Sequence, residues 1–428
     1  MPRTGDSCDL LIVGASFAGL VAARTAAMRG LSVVVLEAKD DAGARVATTG
    51  ILVKEAAEEI DVPHAMTRCI HGVRLYAPNL RHIDLFSPGS FFLTTDTARL
   101  LRWLGHEAQR AGARILYGTR FVGAARDGDR FRIGGLDLAA RFVLGADGAR
   151  SAVARCFGLG RNRRFLVGVE AELDLSFAHV HSRSKNGVAS LADVGEPAST
   201  PDQVGGGLSP EHAPARLDAR FLHCFINRRL APGYLAWVAP GPRVTQVGLA
   251  VSGGRRPDVA AFLARTEPLF GFAGARVIER RAGRIPAGGM VEPWSAPGVL
   301  LVGDAAGMVS PATGGGIRLA FQFGRRAAQT IADHLLHLGP PPATALAREL
   351  PRFGAKRALR AGLDLAPPNF LVDALIATSP MRWLATHLYF HRRGTKGLSF
   401  AEFEARLRAA GEGARGEPRG LGAVATRL

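Results

Sequence analysis

The sequence predicts an α/β fold in which a Rossmann-type nucleotide-binding domain contains an inserted antiparallel β-sheet and is followed by a helical C-terminal region. Three observations lead to this prediction. The chain begins with an apolar strand, a glycine turn, an alanine-rich helix and a second apolar strand that ends at an acid. Runs of β-branched and aromatic residues recur between residues 165 and 251. A further unit of strand, acid, glycines and helix spans residues 297–336.

The first motif is the turn Gly14-x-Ser16-x-x-Gly19. Its glycines let the backbone turn tightly and let helix and strand approach, so that a pyrophosphate can bind at the helix N-terminus. Ser16 replaces the usual middle glycine, which weakens the bare motif. Glu37 ends the next strand at about the spacing of 20 residues that the fingerprint requires, where it can bind the two hydroxyls of a ribose. A loop containing Arg45 can then fold back over the nucleotide.

The second motif, Gly145-Ala-Asp147-Gly148, ends another apolar strand. A carboxylate and a glycine at a strand end can hold the sugar or diphosphate part of a dinucleotide. A capped turn between strand and helix is the alternative interpretation, and the motif alone does not decide between them.

The third motif is the most specific of the three. It places Asp304 at the end of a buried strand, and Gly314, Gly315, Gly316 and Ile317 before a helix. Three glycines bring bare backbone against a flat ring. The helix dipole can stabilise negative charge on the N1–C2=O side of a reduced isoalloxazine, and Asp304 can bind the ribityl hydroxyls.

The charge and the cysteines limit the partners. The net charge is +17, yet arginines are scattered through every segment and the lysines are few: Lys39, Lys54, Lys185, Lys356 and Lys396. This distribution argues against nucleic acid and favours an anionic membrane surface or an acidic cofactor. The 4 cysteines are far apart, which favours a reducing compartment and no metal. Without a signal peptide or an apolar run of about 18 residues, we expect a cytoplasmic protein.

With these motifs in this order, the chain resembles the FAD-dependent geranylgeranyl reductase family, within the superfamily of aromatic hydroxylases and flavin halogenases. The resemblance covers roughly residues 8–390 and rests on GASFAG, GADGARSAVAR, RIPAGG and GDAAGMVSPATGGGI. Aromatic hydroxylases usually carry a histidine after GDAA and lack the triple glycine. The resemblance implies a glutathione-reductase-like FAD domain, with the family's cysteine after the first loop aligned near Thr48.

The same resemblance directs attention to Tyr234 and Trp237 as candidate substrate residues. Leu235 and Ala239 stand where the reductases commonly have tyrosine and phenylalanine, so a different or broader lipid-like substrate is implied. Core filling is the commoner role of such aromatics. The spacing of three would require a bulge for both rings to face one cavity from a regular strand.

We expect the domains to be discontinuous. The predicted FAD-binding domain comprises residues 1–72, 98–164 and 282–338, the substrate domain residues 73–97 and 165–281, the helical C-terminal region residues 339–410, and a disordered tail residues 411–428. A long mobile loop is predicted for residues 188–216, which are rich in Gly, Pro, Ser and Ala. The C-terminal helices either cap a substrate tunnel, rest on a membrane or form an ordinary packed pair.

The leading functional hypothesis is that reduced FAD passes hydride from N5 to a carbon–carbon double bond of an isoprenoid or other apolar substrate. NAD(P)H or another external reductant would supply the electrons. The catalytic residue that provides the proton is not identified, and neither is the oligomeric state. Two alternatives remain open: a monooxygenase that uses NAD(P)H and oxygen, and an electron-transfer flavoprotein that reduces a quinone. The quinone-linked relatives usually carry a cysteine-ligated cluster, for which these cysteines are unsuited.

Overall fold

The computed structural model describes residues 6–87, 89–174 and 217–390. Its strands are β1 (Asp6–Val13), β2 (Val33–Leu36), β3 (Ile51–Val53), β4 (Thr67–Ile70), β5 (Gly72–Tyr76), β6 (His82–Phe86), β7 (Phe92–Thr95), β8 (Arg114–Leu116), β9 (Ala124–Asp127), β10 (Arg130–Ile133), β11 (Leu138–Gly145), β12 (Phe165–Asp174), β13 (Phe221–Phe225), β14 (Ala236–Pro240), β15 (Thr245–Val251), β16 (Arg276–Pro286), β17 (Ser295–Ala296) and β18 (Val299–Leu301). The predicted mobile loop 188–216 and the predicted tail 411–428 lie outside the described residues, as do residues 391–410.

The helices alternate with these strands in the first half of the chain and follow them in the last part. They are α1 (Phe17–Met28), α2 (Lys54–Ala57), α3 (Thr97–Arg110), α4 (Ala152–Cys156), α5 (Val259–Phe270), α6 (Ile317–Leu335), α7 (Pro342–Ala347), α8 (Gly354–Asp364), α9 (Asn369–Leu375) and α10 (Ser379–Phe390), with short 3-10 helices at His64–Met66 and Gly303–Ala306. Within the described ranges, none of these helices is both long enough and apolar enough to cross a bilayer.

The first sheet has the strand order β17-β18-β11-β1-β2-β8, and β10 and β9 extend it beside β11. The strands from β18 to β8 run parallel. Their carboxyl ends are level, because Val13 pairs with both Leu36 and Gly145. Gly145 in turn pairs with Leu301 of β18. The residues that follow these four strands therefore gather at one edge of the sheet, where ligands of open α/β sheets bind.

The second sheet has the order β16-β12-β15-β14-β13-β5-β6. Its neighbouring strands are antiparallel, as predicted, except that β13 and β5 are parallel. This sheet is therefore mixed. The exception arises because the chain leaves the sheet after β6 and returns at β12, so no hairpin fixes the direction of β13 relative to β5.

Alternate residues of the second sheet face different cores. Trp237 and Ala239 of β14 belong to one core, to which Val372 of α9 and Phe390 of α10 also contribute. The intervening residues of β14 pack in the other core with Phe262 of α5. Helices from the C-terminal part of the chain thus cover the same face of the sheet that carries Trp237.

Candidate functional site

A cavity of about 1480 Å³ lies between the edge of the first sheet and one face of the second. Pockets for drug-sized ligands have volumes of about 300–1,000 Å³, so this cavity can hold a dinucleotide together with part of a second molecule. The sequence-predicted residues that line it are Gly14, Ser16, Glu37, Arg45, Thr48, Asp147, Gly148, Asp304, Gly315, Gly316, Ile317, Tyr234 and Trp237. Of the predicted set, Gly19 does not line the cavity.

Gly14 and Gly19 allow three segments to approach one another. Gly14 has φ of +104°, and a Cβ there would lie 2.4 Å from the carbonyl oxygen of Ala146. A Cβ on Gly19 would lie 1.9 Å from the carbonyl oxygen of Gly14. Gly19 therefore allows α1 to pack against the turn. The turn residues that line the cavity, and not Gly19, are the ones that could contact a ligand. Ser16 is the N-cap of α1 but its hydroxyl caps no helix N–H group.

Glu37 ties the end of β2 to the glycine turn. The side chain is 7% exposed. Its Oε2 accepts a hydrogen bond from the Ala15 N–H at 2.7 Å, and its Oε1 accepts one from the Lys39 N–H at 2.9 Å. Each carboxylate oxygen can accept more than one hydrogen bond, so both can still accept from ribose hydroxyls.

Asp147 combines the two interpretations that its motif allowed. Its Oδ2 accepts hydrogen bonds from the N–H groups of Ala152 at 2.6 Å and Val153 at 3.1 Å, which caps α4. Its Oδ1 is buried and has no hydrogen-bond partner among the described residues. Burial raises the pKa of this carboxyl group. One oxygen therefore stabilises the turn, and the other remains for a ligand. Gly148 has φ of +79°, which favours glycine there.

Asp304 is the least satisfied carboxylate at this end of the cavity. It follows β18, is half-buried, and forms no side-chain hydrogen bond within the described part of the chain. Burial raises its pKa to about 6. A Cβ on Gly316, the N-cap of α6, would lie 3.4 Å from its Oδ1, so bare backbone faces the carboxylate. Hydroxyl groups of a ligand would satisfy it.

The glycine run is held in place by Tyr234. The Tyr234 hydroxyl donates a hydrogen bond to the Thr313 carbonyl oxygen. Gly314 has φ of +63°, and a Cβ on it would lie 2.6 Å from the tyrosine oxygen. Tyr234 precedes β14, whereas Trp237 lies within it. No bulge is needed for both side chains to reach one cavity, because only Trp237 follows the alternation of the strand.

The loop after Glu37 borders the cavity from another side. Arg45 has φ of +45°, a sparsely populated conformation for a residue with a side chain, and both Arg45 and Thr48 line the cavity. Such strain persists only where the surrounding structure imposes it and is frequent at ligand sites.

The wall contributed by the second sheet is a row of residues that pair across neighbouring strands. Arg281 pairs with Glu170, and Glu170 with Gly248. Gly248 pairs with Trp237, which pairs with Cys224. Residues that pair in register lie on the same face of a sheet. Because Gly248 has no side chain, the Trp237 indole extends across it, and its Nε1 donates a hydrogen bond to Glu170 Oε2 at 3.1 Å.

A buried ionic cluster at this wall was missed by the sequence analysis. Arg281, whose side chain is 4% exposed, lies 2.7 Å from Glu172 Oε1 and 2.8 Å from Glu279 Oε2. Glu170 Oε1 is 3.8 Å from Arg281 Nη1. A signal was present, because glutamates at two alternate positions of one apolar strand point to the same face. We call the set Glu170, Glu172, Glu279 and Arg281 the ionic cluster.

A smaller cleft of about 410 Å³ adjoins the first. Among the residues that line it are Arg150, Arg155, Arg161 and Arg163, which are all exposed. In the described ranges, none of these four arginines forms an ion pair with a carboxylate. We call this set the arginine cleft. Its charge suits an anionic group such as a phosphate.

Comparisons with known proteins agree with this architecture. A family model described as an FAD binding domain matches residues 7–187. The chain is 30% identical over 340 residues to a digeranylgeranylglycerophospholipid reductase of Methanothrix thermoacetophila, covering 76% of this chain and 78% of that one. It is 26% identical over 341 residues to the Methanosarcina acetivorans protein of the same name, covering 76% and 75%. The crystal structure of a geranylgeranyl bacteriochlorophyll reductase-like protein from Thermoplasma acidophilum superposes with a TM-score of 0.70 at 20% identity, covering 91% of this chain and 98% of that one.

Proposed function

The chain belongs to the geranylgeranyl reductase family and is an FAD-dependent oxidoreductase, and we propose on that premise that it reduces a carbon–carbon double bond of an isoprenoid or similarly apolar substrate. The relatives that support the substrate class are named for a glycerophospholipid with two geranylgeranyl chains. Because Leu235 and Ala239 stand where the reductases commonly have tyrosine and phenylalanine, the proposal includes a different or broader lipid-like substrate.

The residues at the nucleotide end of the cavity, which are Gly14, Glu37, Asp147 and Asp304, suit FAD. The glycine turn would receive the pyrophosphate and Glu37 the ribose of the adenosine, whereas Asp304 would accept hydrogen bonds from the ribityl chain. The unpartnered Asp147 Oδ1 and the Asp304 carboxylate are the observations that favour a polar ligand here. When bound in its reduced form, FAD supplies a hydride to an electron-poor or alkene carbon.

The observation that carries the proposal is that the cavity continues beyond this end along the face of the second sheet. Apolar side chains line that extension, with aromatic rings among them: Leu222, Leu235, Trp237, Ile285, Leu388 and Tyr389. Such a wall would orient a prenyl chain and exclude water from it. Tyr234 and Trp237 are proposed substrate contacts on this basis.

An external reductant, NAD(P)H or another donor, is part of the proposal. The arginine cleft adjoins the main cavity through Arg150 and Arg155, which line both. The phosphate groups of a donor such as NADPH could bind the guanidinium groups of this cleft. Replacing Arg161 and Arg163 together with glutamine should raise the KM for NADPH without changing the reaction of enzyme reduced by dithionite.

The proposal also includes the location of the protein. A cytoplasmic protein that binds to the membrane surface could take its lipid substrate directly from the bilayer. Phe370, Leu371, Trp383 and Leu384 on α9 and α10 are exposed. The same helix α10 brings Leu388 and Tyr389 to the cavity wall. Arg382 on α10 is also exposed, and apolar side chains exposed beside basic ones favour an anionic lipid surface. Sedimentation with anionic vesicles should decrease when Phe370 and Trp383 are replaced with serine.

The test of the proposed function is an anaerobic reoxidation assay. The purified holoenzyme is reduced with dithionite, freed of excess reductant and mixed with digeranylgeranylglycerophospholipid in detergent micelles. We expect reoxidation of the flavin together with an equivalent amount of product that has gained two hydrogen atoms. Reoxidation by a quinone without lipid product would support electron transfer instead. NAD(P)H and oxygen consumption with an aromatic substrate, without any lipid reduction, would support a monooxygenase.

A further inference from the structure

Reduction of an alkene requires a proton as well as a hydride, and the wall formed by the second sheet contains a carboxylic acid. Glu170 is 5% exposed and lines the cavity in the centre of β12. Its Oε2 accepts a hydrogen bond from Trp237. Its Oε1 is buried and has no hydrogen-bond partner among the described residues. A buried carboxyl oxygen with free capacity beside an apolar extension is the geometry that a proton donor to an apolar substrate needs.

The surrounding charges favour the neutral form of Glu170. From β16, Arg281 donates to Glu279 through Nε at 3.0 Å and through Nη2 at 2.8 Å, and the same Nη2 lies 2.7 Å from Glu172 on β12. Two carboxylates therefore share the single charge of Arg281 before Glu170 is counted. Ionised Glu170 would be a third carboxylate beside this one guanidinium and, unlike the partly exposed Glu279, it is buried away from water.

The other groups that face Glu170 leave this balance unchanged. Trp237 from β14 is hydrogen-bonded to it, Thr49 from the loop before β3 lies near it, and neither side chain carries a charge. Gly248 of β15 has no side chain, and the β15 residue Gln246 donates to Glu172 at 3.3 Å. Burial, opposed by Thr49 and Arg281, raises the pKa of Glu170 to about 7. The carboxyl group thus carries a proton over a useful fraction of the physiological pH range.

The cluster also provides for the ionised form that proton transfer would leave. Glu170 Oε1 and Arg281 Nη1 are 3.8 Å apart, and neither has a hydrogen-bond partner in the described part of the chain. A small movement of either side chain would bring them into hydrogen-bonding distance. Together with the Trp237 N–H, this contact would stabilise the carboxylate once its proton has gone.

We propose that Glu170 donates the proton in the reduction, an inference that rests on the proposed reductase function. The O–H bond of Glu170 breaks, its proton adds to one carbon of the double bond, and its electron pair remains on the carboxylate. The other carbon receives the hydride that reduced flavin supplies, so the substrate gains two electrons and the flavin loses two. Glu170 regains a proton from solvent before the next turnover.

The kinetic test is the anaerobic reoxidation assay in single-turnover form, with wild type, Glu170→Gln and Glu58→Gln. General acid catalysis contributes about 10²–10⁴-fold, so Glu170→Gln should slow reoxidation by at least about 100-fold. The wild-type rate should fall above about pH 7 as Glu170 ionises, and the variant should lose that dependence. The exposed Glu58 makes the same chemical change at the surface and should behave as wild type. Glu170→Asp keeps a carboxylic acid and should retain the pH dependence at a lower rate. This variant provides the test if Glu170→Gln fails to bind FAD.

A second readout is independent of turnover. Infrared difference spectra of the holoenzyme between about pH 5 and about pH 9 should contain a protonated-carboxyl band that Glu170→Gln lacks and Glu58→Gln retains. Lipid reduction by Glu170→Gln at the wild-type rate, with the same pH profile, would overturn the proton donor and leave the reductase function intact. If wild type does not react with the lipid, the reductase function fails and the donor role fails with it. An unchanged difference spectrum in Glu170→Gln would show that Glu170 does not exchange a proton between these pH values, which also overturns the proposal.

Discussion

At the nucleotide end of the cavity the polar groups lie within three residues of strand ends, whereas along the second sheet they come from within the strands themselves. Glu37 directly follows β2, and Asp304 lies three residues beyond the end of β18. The row of Arg281, Glu170 and Trp237 depends instead on which strands are neighbours and on their register.

This difference has a physical cause. A parallel sheet brings the carboxyl ends of its strands to one edge whatever the distance between them in the sequence, so a short motif is sufficient to place a functional group. A group in the middle of a strand faces the cavity only if its strand has the correct neighbours and register, since a shift by one residue turns it to the other face. Substitutions at the nucleotide end and along the second sheet should therefore impair different properties of the protein.

The largest expected effect is a loss of stability in the second sheet. Replacing Trp237 with alanine should lower the free energy of unfolding by about 3 kcal/mol, because a buried indole and its hydrogen bond to Glu170 are lost. FAD content should stay nearly intact and lipid turnover should decrease. Thermal denaturation and the flavin spectrum measure the two separately. Loss of FAD in proportion to stability would show that the two ends are not independent.

The next effect concerns FAD itself. Asp304→Ala should weaken FAD binding by about 1–3 kcal/mol, which is roughly 5- to 150-fold, because ribityl hydroxyls would lose their acceptor. Lys54→Ala is the control, since its ammonium group pairs only with Glu58 at 3.6 Å among the described residues. Fluorescence titration of the FAD-free proteins gives both affinities. Equal affinities in the two variants would contradict the assignment of Asp304.

Gly248→Ala should produce a smaller effect at the centre of the row. A Cβ at this position would lie 2.6 Å from Trp237 Cζ2, and overpacking of this kind typically costs about 1–3 kcal/mol. The indole would have to move away from Glu170. Combining Gly248→Ala with Trp237→Ala should remove the part of the cost that comes from the indole, whereas the close approach to the Val169 carbonyl oxygen remains, and a double-mutant cycle measures the coupling. Simple additivity would mean that the glycine is not needed for the indole.

The smallest effect is a pH dependence at the nucleotide end. The pKa of Asp304 is about 6 in the folded FAD-free protein, above its ordinary value of 3.8, so the folded state binds more protons between these values. Stability should therefore rise as pH falls from about 7 to about 4. The full pKa difference would contribute about 2 kcal/mol, and the partial exposure of Asp304 reduces its expected contribution to about 1 kcal/mol. The thermal unfolding midpoints of wild type and Asp304→Asn should agree near pH 4, where Asp304 is neutral, and that of wild type should fall below that of the variant above about pH 6. Parallel curves would show that Asp304 does not titrate in this range.

The sequence by itself determined the α/β fold, the glycine turn and the positions of Glu37, Asp147 and Asp304, because strand ends and glycine turns are encoded within short stretches. It also predicted Trp237 and Tyr234 as cavity residues, but it did not predict that Tyr234 precedes the strand that contains Trp237. Only the tertiary structure decided that Gly19 packs without lining the cavity and that β13 runs parallel to β5. The ionic cluster also depends on the tertiary structure, because Glu170 and Arg281 are separated by more than a hundred residues. They meet only through the pairing of β12 with β16. Contacts of that kind depend on strand order and register, which local patterns in a sequence do not specify.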